Sequence, residues 1–521
     1  MNIDEAKVEV KNAVRAYLEK DEVGQYEIPV ERQRPILLMG PPGIGKTAVM
    51  EQIAHELGIG LVSYTITHHT RQSAIGLPKI TEKSFGGKEY SVTEYTMSEI
   101  IGAVYEQIEK SGVKEGILFL DEINCVSETL APTMLQFLQY KTFGSHKLPE
   151  GYIIVTAGNP PQYNKSVRDF DIVTLDRVRQ INIEEDFEAW KDYAYKAGVH
   201  GSILAYLEIK KDNFYNISTD VNGRSFVTAR GWEDLSRIIK VYEKLGIDVD
   251  ENLTAQYLQN KEIARDFATY YELYRRYNEL YKIPDILEGR FPEDKETLRK
   301  GSFDEKLSII GLLSDKLMEE FRDYAQDEAV QKELFEIIKA AGTIGVKNSE
   351  SGMSDADNRQ TSDNSNCSVA EFLSDRASSM EKEIENQRLL GMISREEERT
   401  GRLVASLLHE LTEKLSCSEG DRFENAKSWF REREDARQQK IVNTGIHLTN
   451  SFEFLEQTFG DKESLSGSQE MVIFLTELSS AYHSLKFVRE TGNDAYYKYN
   501  KLLLLNDRKQ ELKDIVKELV L

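Results

Sequence analysis

The pattern of apolar and polar positions changes twice along the chain. Between about residues 30 and 184, short apolar runs alternate with segments of helical period. The runs are Ile36–Met39, Leu61–Thr67, Ile117–Leu120, Tyr152–Ala157 and Val178–Ile183, and helical periods fill Thr47–Leu57, Met97–Glu109 and Ser127–Tyr140. Runs of Ile, Leu and Val without polar alternation suit strands buried on both faces. The pattern therefore predicts an α/β layer whose parallel sheet is covered on both sides by helices.

From Glu185 to about Ala341 the strand signal fades and tyrosine-rich helical periods replace it. In "ARDFATYYELYRRYNELY" (Ala264–Tyr281) the aromatics recur at helical spacing, which predicts a helix-packing face rather than a platform for stacked bases. The stretch "GVKNSESGMSDADNRQTSDNSNCS" (Gly345–Ser368) has almost no apolar anchor and reads as a flexible linker. Ser368 and Glu371 have the spacing of a capping box and predict a helix start. Three long helical stretches follow, about Glu371–Leu415, Asp421–Phe459 and Gln469–Asn506, with a short terminal helix after them. Breaks at Gly420 and Gly460 allow them to pack as antiparallel neighbours. The expected organisation is an α/β core with an N-terminal helix over 1–184 and a helical lid and extension over 185–344. A linker over 345–368 and an all-α C-terminal domain over 369–521 complete it.

Composition narrows the function classes. At 521 residues the chain exceeds what one core supports. No apolar run approaches the roughly 18 residues that span a bilayer, so no membrane segment is expected. The first residues, "MNIDEAKVEV", lack the basic-then-apolar order of a signal peptide. Cys125, Cys367 and Cys417 are far apart and odd in number, which fits a reducing cytoplasm rather than a disulfide framework. A net charge of −23 and a pI near 5.0 argue against general binding to nucleic acid or anionic membrane. Protein or small-molecule partners fit that balance better. His68 and His69 have no third ligand at a suitable spacing and, read as strand neighbours, point to opposite faces, so no metal site is expected there.

The candidate chemistry begins at Gly40-Pro41-Pro42-Gly43-Ile44-Gly45-Lys46-Thr47, which fits G-x-x-x-x-G-K-[ST] between a predicted strand and a predicted helix. Glycines let the loop curl so that successive N–H groups, through Ala48, face phosphate at the positive end of the helix. Lys46 would reach the β and γ phosphates of ATP, and the Thr47 hydroxyl would ligate Mg²⁺. "ILFLDEIN" sets two acids at the end of a buried strand. Asp121 is placed to support Mg²⁺ and Glu122 to polarise an attacking water. "YIIVTAGNPP" ends a further strand at Asn159, whose carboxamide could hydrogen-bond both phosphate and water. "DFDIVTLDRVRQINI" carries Arg177, with Arg168 and Arg179 close by, any of which could project into a neighbouring subunit's nucleotide. In "SFVTARGWEDLSRII", Thr228 is a helix-cap candidate. Arg230 stands in the first turn, where a cation gains nothing from the helix dipole and so is expected to face a ligand.

In this order the motifs resemble those of the AAA+ ATPases, and "DEIN", "APTMLQFLQ", "LPEGYIIVTAGNPP" and "LDRVRQINIE" resemble the MoxR group within them. The resemblance covers about residues 30–240. It implies a P-loop AAA+ core with a five-stranded parallel sheet, a helical lid, and a ring, hexameric or related, with ATP between subunits. It also implies Asn159 as a sensor, Arg177 as a finger acting in trans and Arg230 as a lid sensor. Relatives in the group commonly act as chaperone-like remodellers paired with von Willebrand factor A domain proteins. Two features depart from the group. Cys125 stands where arginine is frequent, and the insert from His68 to Ile101 matches the group's inserted hairpin only loosely. Residues 369–521 resemble no family. The expected function is ATP-driven remodelling of a protein client. The alternatives are a nucleic-acid-directed motor, for which the insert offers only Arg71, Lys79, Lys83 and Lys88, and a nucleotide-gated scaffold with little turnover.

Overall fold

The computed structural model describes residues 1–68, 74, 76–144, 146–163, 170–220, 223–293, 295–350, 360–417, 421–460 and 468–501. The chain divides into two compact units. One is Met1–Ala189 with Lys382–Arg399, and the other is Trp190–Glu381 with Thr400–Leu521.

The first unit opens with α1 (Ile3–Leu18), β1 (Ile36–Met39), α2 (Lys46–Leu57) and β2 (Gly60–Thr65). The hairpin β3 (Pro78–Phe85) and β4 (Lys88–Tyr95) follows, then α3 (Glu99–Ser111), β5 (Gly116–Asp121) and α4 (Ala131–Tyr140). Two short strands, β6 (Thr142–Phe143) and β7 (His146–Lys147), precede β8 (Tyr152–Gly158), α5 (Ile172–Leu175) and β9 (Arg179–Asn182). Five strands pair in parallel in the order β2-β5-β8-β1-β9.

The unbroken apolar runs have a simple cause. Leu37, Leu118, Leu120 and Ile154 enter the core on the side of α3 and α4. Their neighbours Ile36, Leu38, Ile117, Phe119, Ile153 and Val155 enter the opposite core with α1 and α2. Alternate side chains of each strand thus meet a different helical layer. Each such side chain contributes about 1.5–3 kcal/mol by leaving water. The carboxyl ends of β1, β5 and β8 lie side by side, the position at which open α/β sheets take ligands.

The five expected strands all form, and the insert forms an antiparallel hairpin turning at Gly86 and Gly87, both left-handed. One detail differs at His68. It ends a 3-10 turn, Ile66–His68, rather than a strand, so the opposite-faces reasoning does not apply there; His69 lies outside the described residues.

The expected helix Glu371–Leu415 is two helices, Gln360–Leu389 and Arg395–Cys417. Gly391, left-handed, ends the first. Ser394 and Glu397 start the second with a reciprocal capping box, their bonds at 3.0 and 3.2 Å. This turn belongs to the first unit, where the Leu390 carbonyl accepts from Gln107 Nε2 at 3.1 Å and Glu397 pairs with His55 at 2.5 Å. Ser368 does not open a helix, because the backbone is already helical from Gln360. Val369 and Ala370 within it are buried. Of the stretch read as a linker, the backbone is helical over 345–350 and 360–368, and 351–359 lies outside the described residues.

Among its described residues the second unit is mostly helical, but it also holds a hairpin, Asn216–Asp220 with Gly223–Val227, which the fading strand signal after Glu185 does not reveal. Asn222-Gly223 is the turn signal that could have revealed it. Phe267, Tyr271 and Tyr274 of Lys261–Tyr281 are buried, so the tyrosine stripe is core, as its spacing predicts. The long helix Phe303–Glu350 contributes Val330, Leu334 and Ile338 to a cluster with Leu373, Leu408, Leu411 and Trp429. That cluster joins four C-terminal helices into an all-α bundle. The expected stretch Gln469–Asn506 breaks at Ala481, which is extended, and at Gly492, which is left-handed. Among the described residues, no helix is long and apolar enough to cross a membrane.

Candidate functional site

The loop after β1 curls through two left-handed glycines, Gly43 at φ +76° and Gly45 at φ +96°. Gly45 is the N-cap of α2, and no side chain caps that helix. No side-chain cap thus occupies the positive end of the helix dipole, where an anion is favoured. Gly40 serves another purpose: a Cβ there would stand 2.8 Å from the Ile183 carbonyl oxygen, so the loop fits only by close approach to the chain after β9. Ile44 packs against the core formed with α1 and α2, Pro42 lies in the turn and Ala48 lies in the first turn of α2.

Lys46 follows at the start of α2 and is 8% exposed. Its Nζ donates to the Gly40 carbonyl at 2.8 Å, the Pro41 carbonyl at 2.7 Å and Asn159 Oδ1 at 2.9 Å. Thr47 Oγ1 donates to Asp121 Oδ2 at 3.2 Å, joining α2 to the end of β5. Asp121 Oδ1 accepts from the Glu122 N–H at 2.9 Å. Glu122 is left-handed, at φ +56°, a conformation costing a non-glycine residue roughly 1–2 kcal/mol. Such strain gathers at working sites. Its Oε2 accepts from Thr67 Oγ1 at 3.1 Å, and Asn124 Nδ2 donates to the Asn159 carbonyl at 2.8 Å.

Three neighbouring strand ends thus bring together a buried ammonium, a hydroxyl, two carboxylates and a carboxamide. The residues present fit a magnesium nucleotide. The uncapped helix end and the Lys46 ammonium suit a polyphosphate, and the space about the Gly45 Cα is open, no atom lying within 4 Å of where a Cβ would stand. Thr47 Oγ1 and Asp121 supply the oxygen donors that a hard divalent cation takes.

Among the predicted arginines, Arg177 and Arg179 make their contacts outside this group. Arg177 is exposed just past α5, its Nη1 donating to Gln139 Oε1 at 2.7 Å rather than to a member of the cluster. Arg179 pairs with Glu9 of α1. Arg168 lies outside the described residues. Arg230 belongs to the second unit, exposed in the first turn of Ala229–Leu245, where Thr228 Oγ1 caps the helix by accepting from the Gly231 N–H at 3.3 Å.

The sequence pattern does not single out Thr67, Asn124 or Gly158. Thr67 is a polar residue after a strand and carries no local signal of its own. Asn124 was legible only as the last letter of "DEIN", and Gly158 only as the residue before Asn159.

A search of curated proteins returned no match to the chain. The family model described as "ATPase family associated with various cellular activities (AAA)" matches residues 36–175, from the first residue of β1 to the last of α5. The match spans the phosphate loop, Asp121, Glu122 and Asn159, and stops short of Arg177 and Arg230. Sheet order, phosphate loop and family match agree: residues 36–175 are an AAA domain of the AAA+ ATPase superfamily.

Proposed function

We propose that the chain is a MoxR-like ATPase that hydrolyses Mg²⁺·ATP in a hexameric ring and remodels a protein client. The observation that carries the reading is the convergence of Lys46, Asn159, Thr47 and Asp121 by direct hydrogen bonds at an uncapped helix end. Lys46 and the loop from Gly40 to Ala48 bind the polyphosphate, and Thr47 and Asp121 hold the cation. Bound Mg²⁺ supplies charge neutralisation at the phosphates. Glu122 accepts the proton of the attacking water, and Asn159 orients that water against the terminal phosphate.

Arg177 is exposed and donates to the Gln139 carboxamide, a contact that a neighbouring copy's phosphate could replace, which supports its service as the finger reaching that copy's nucleotide. Arg230, exposed at its helix start, serves as the lid contact. The exposed hairpin β3–β4 and the C-terminal helices are the parts left to meet a client. A von Willebrand factor A domain protein is the proposed partner, and the cytoplasm the proposed compartment. The test is ATP turnover by the purified chain with its mass measured with and without Mg²⁺·ATP. Turnover that rises with assembly and disappears in Arg177→Ala supports the reading. Equal turnover by isolated monomers contradicts it.

A further inference from the structure

Asn124 stands two residues past Glu122, in the 3-10 turn Ile123–Cys125, and is 4% exposed. Its side chain crosses from the end of β5 to the end of β8, where Nδ2 donates to the Asn159 carbonyl at 2.8 Å. The carboxamide lies against Gly158. A Cβ there would stand 2.7 Å from Asn124 Oδ1 and 2.9 Å from Cγ, so the crossing depends on glycine at that position. Among the described residues, Oδ1 itself is buried and has no hydrogen-bond donor.

A buried acceptor without a donor weakens a fold. Leucine keeps the branch at Cγ without that acceptor, although its two methyl groups are bulkier. Packing and the residue present therefore disagree at Asn124, and such disagreements gather at functional sites.

What the side chain does is geometric. It fixes the backbone of Asn159, whose own Oδ1 accepts from Lys46 Nζ at 2.9 Å. On its other side it anchors the turn that Cys125 N closes onto the Glu122 carbonyl at 2.9 Å. We infer that Asn124 is a positioning residue for ATP hydrolysis, locking the Glu122 turn to the Asn159 tip so that base and water-orienting group keep one relative geometry. The inference rests on the proposed reading that Glu122 and Asn159 serve hydrolysis.

The experiment compares full-length wild type, Glu122→Gln, Asn124→Leu and Asn124→Asp in steady-state Mg²⁺·ATP turnover, binding of a fluorescent ATP analogue and thermal unfolding. Asn124→Leu is expected to unfold cooperatively and to bind the analogue within about threefold of wild type, while kcat falls by about tenfold or more. Asn124→Asp keeps the shape and loses the donor, and its kcat is expected to fall comparably. Wild-type kcat in both variants overturns the inference, as does a parallel fall of kcat, analogue binding and unfolding temperature in both, which marks a merely structural role. Turnover lost in Glu122→Gln but kept in Asn124→Leu overturns this inference alone. A wild type that binds the analogue and never turns over ATP overturns the proposed function and this inference with it.

Discussion

Lys46 Nζ donates directly to Asn159 Oδ1 at 2.9 Å, although 113 residues separate the two in sequence. The bond joins the phosphate loop after β1 to the tip of the adjacent strand β8. Only a parallel pairing of β1 with β8 brings these carboxyl ends together, so sheet order is what assembles the site.

The two ends of this bond should fail differently. Lys46→Ala removes the ammonium and is expected to weaken ATP-analogue binding by at least about tenfold, since a charge-assisted phosphate contact is lost. Asn159→Ala is expected to leave binding within about threefold and to lower kcat by about tenfold or more, as an interaction realised in the transition state. Titration of the fluorescent analogue beside steady-state turnover separates them. Equal binding losses in both variants would contradict the division of roles.

Gly40 and Gly45 answer to different constraints, and alanine exposes the difference. At Gly45 the added Cβ meets nothing, but φ of +96° strains an L residue by roughly 1–2 kcal/mol, enough to weaken nucleotide binding by about five- to thirtyfold. At Gly40 the Cβ would press on the Ile183 carbonyl at 2.8 Å, so the chain after β9 must shift as well. Gly40→Ala is expected to lower the unfolding temperature of the ligand-free chain more than Gly45→Ala does, as read by thermal unfolding without nucleotide.

Lys141 offers a pH test. It is buried at the C-cap of α4 with Nζ donating to Gln33 Oε1 at 3.3 Å, and burial pulls its ammonium down to about 8. A folded-state value below the unfolded one means that the unfolded chain binds more protons between about pH 8 and 10.5. Stability from this group therefore rises with pH across that window, and below it the buried charge is destabilising. Lys141→Met should raise the unfolding temperature at pH 7, by roughly 2–4 °C for each kcal/mol relieved. The gain should shrink as pH climbs toward 10. A gain independent of pH would show that the charge is not the cause.

Much of the α/β unit was legible because its strands are buried on two faces. Ile36–Met39 matches β1 end for end, and the boundaries of β5 and β8 fall within one residue of expectation. Elements held by polar turn chemistry were harder to read. The Ser394–Glu397 capping box lies inside a charged helical stretch whose periodicity continues on both sides, so pattern alone reads across the break. The Asn216–Val227 hairpin lacks an apolar run and is betrayed only by Asn222-Gly223.

The candidate site divides in the same way. Lys46, Thr47, Asp121, Glu122 and Asn159 follow local motifs, and the structure brings all five together. Thr67 and Asn124 act through contacts 55 and 35 residues away in sequence, which no local pattern encodes. Arg177 and Arg230 are exposed, and their proposed partners belong to assembly and lid motion rather than to the sheet.

The central claim is that this cluster hydrolyses ATP with Glu122 as the base. The most direct measurement is Mg²⁺-dependent phosphate release by wild type and by Glu122→Gln, with ATP-analogue binding measured on the same preparations. The account predicts that the variant binds the analogue as wild type does, within about threefold, while phosphate release falls by about a hundredfold or more. Phosphate release by Glu122→Gln at the wild-type rate would contradict it.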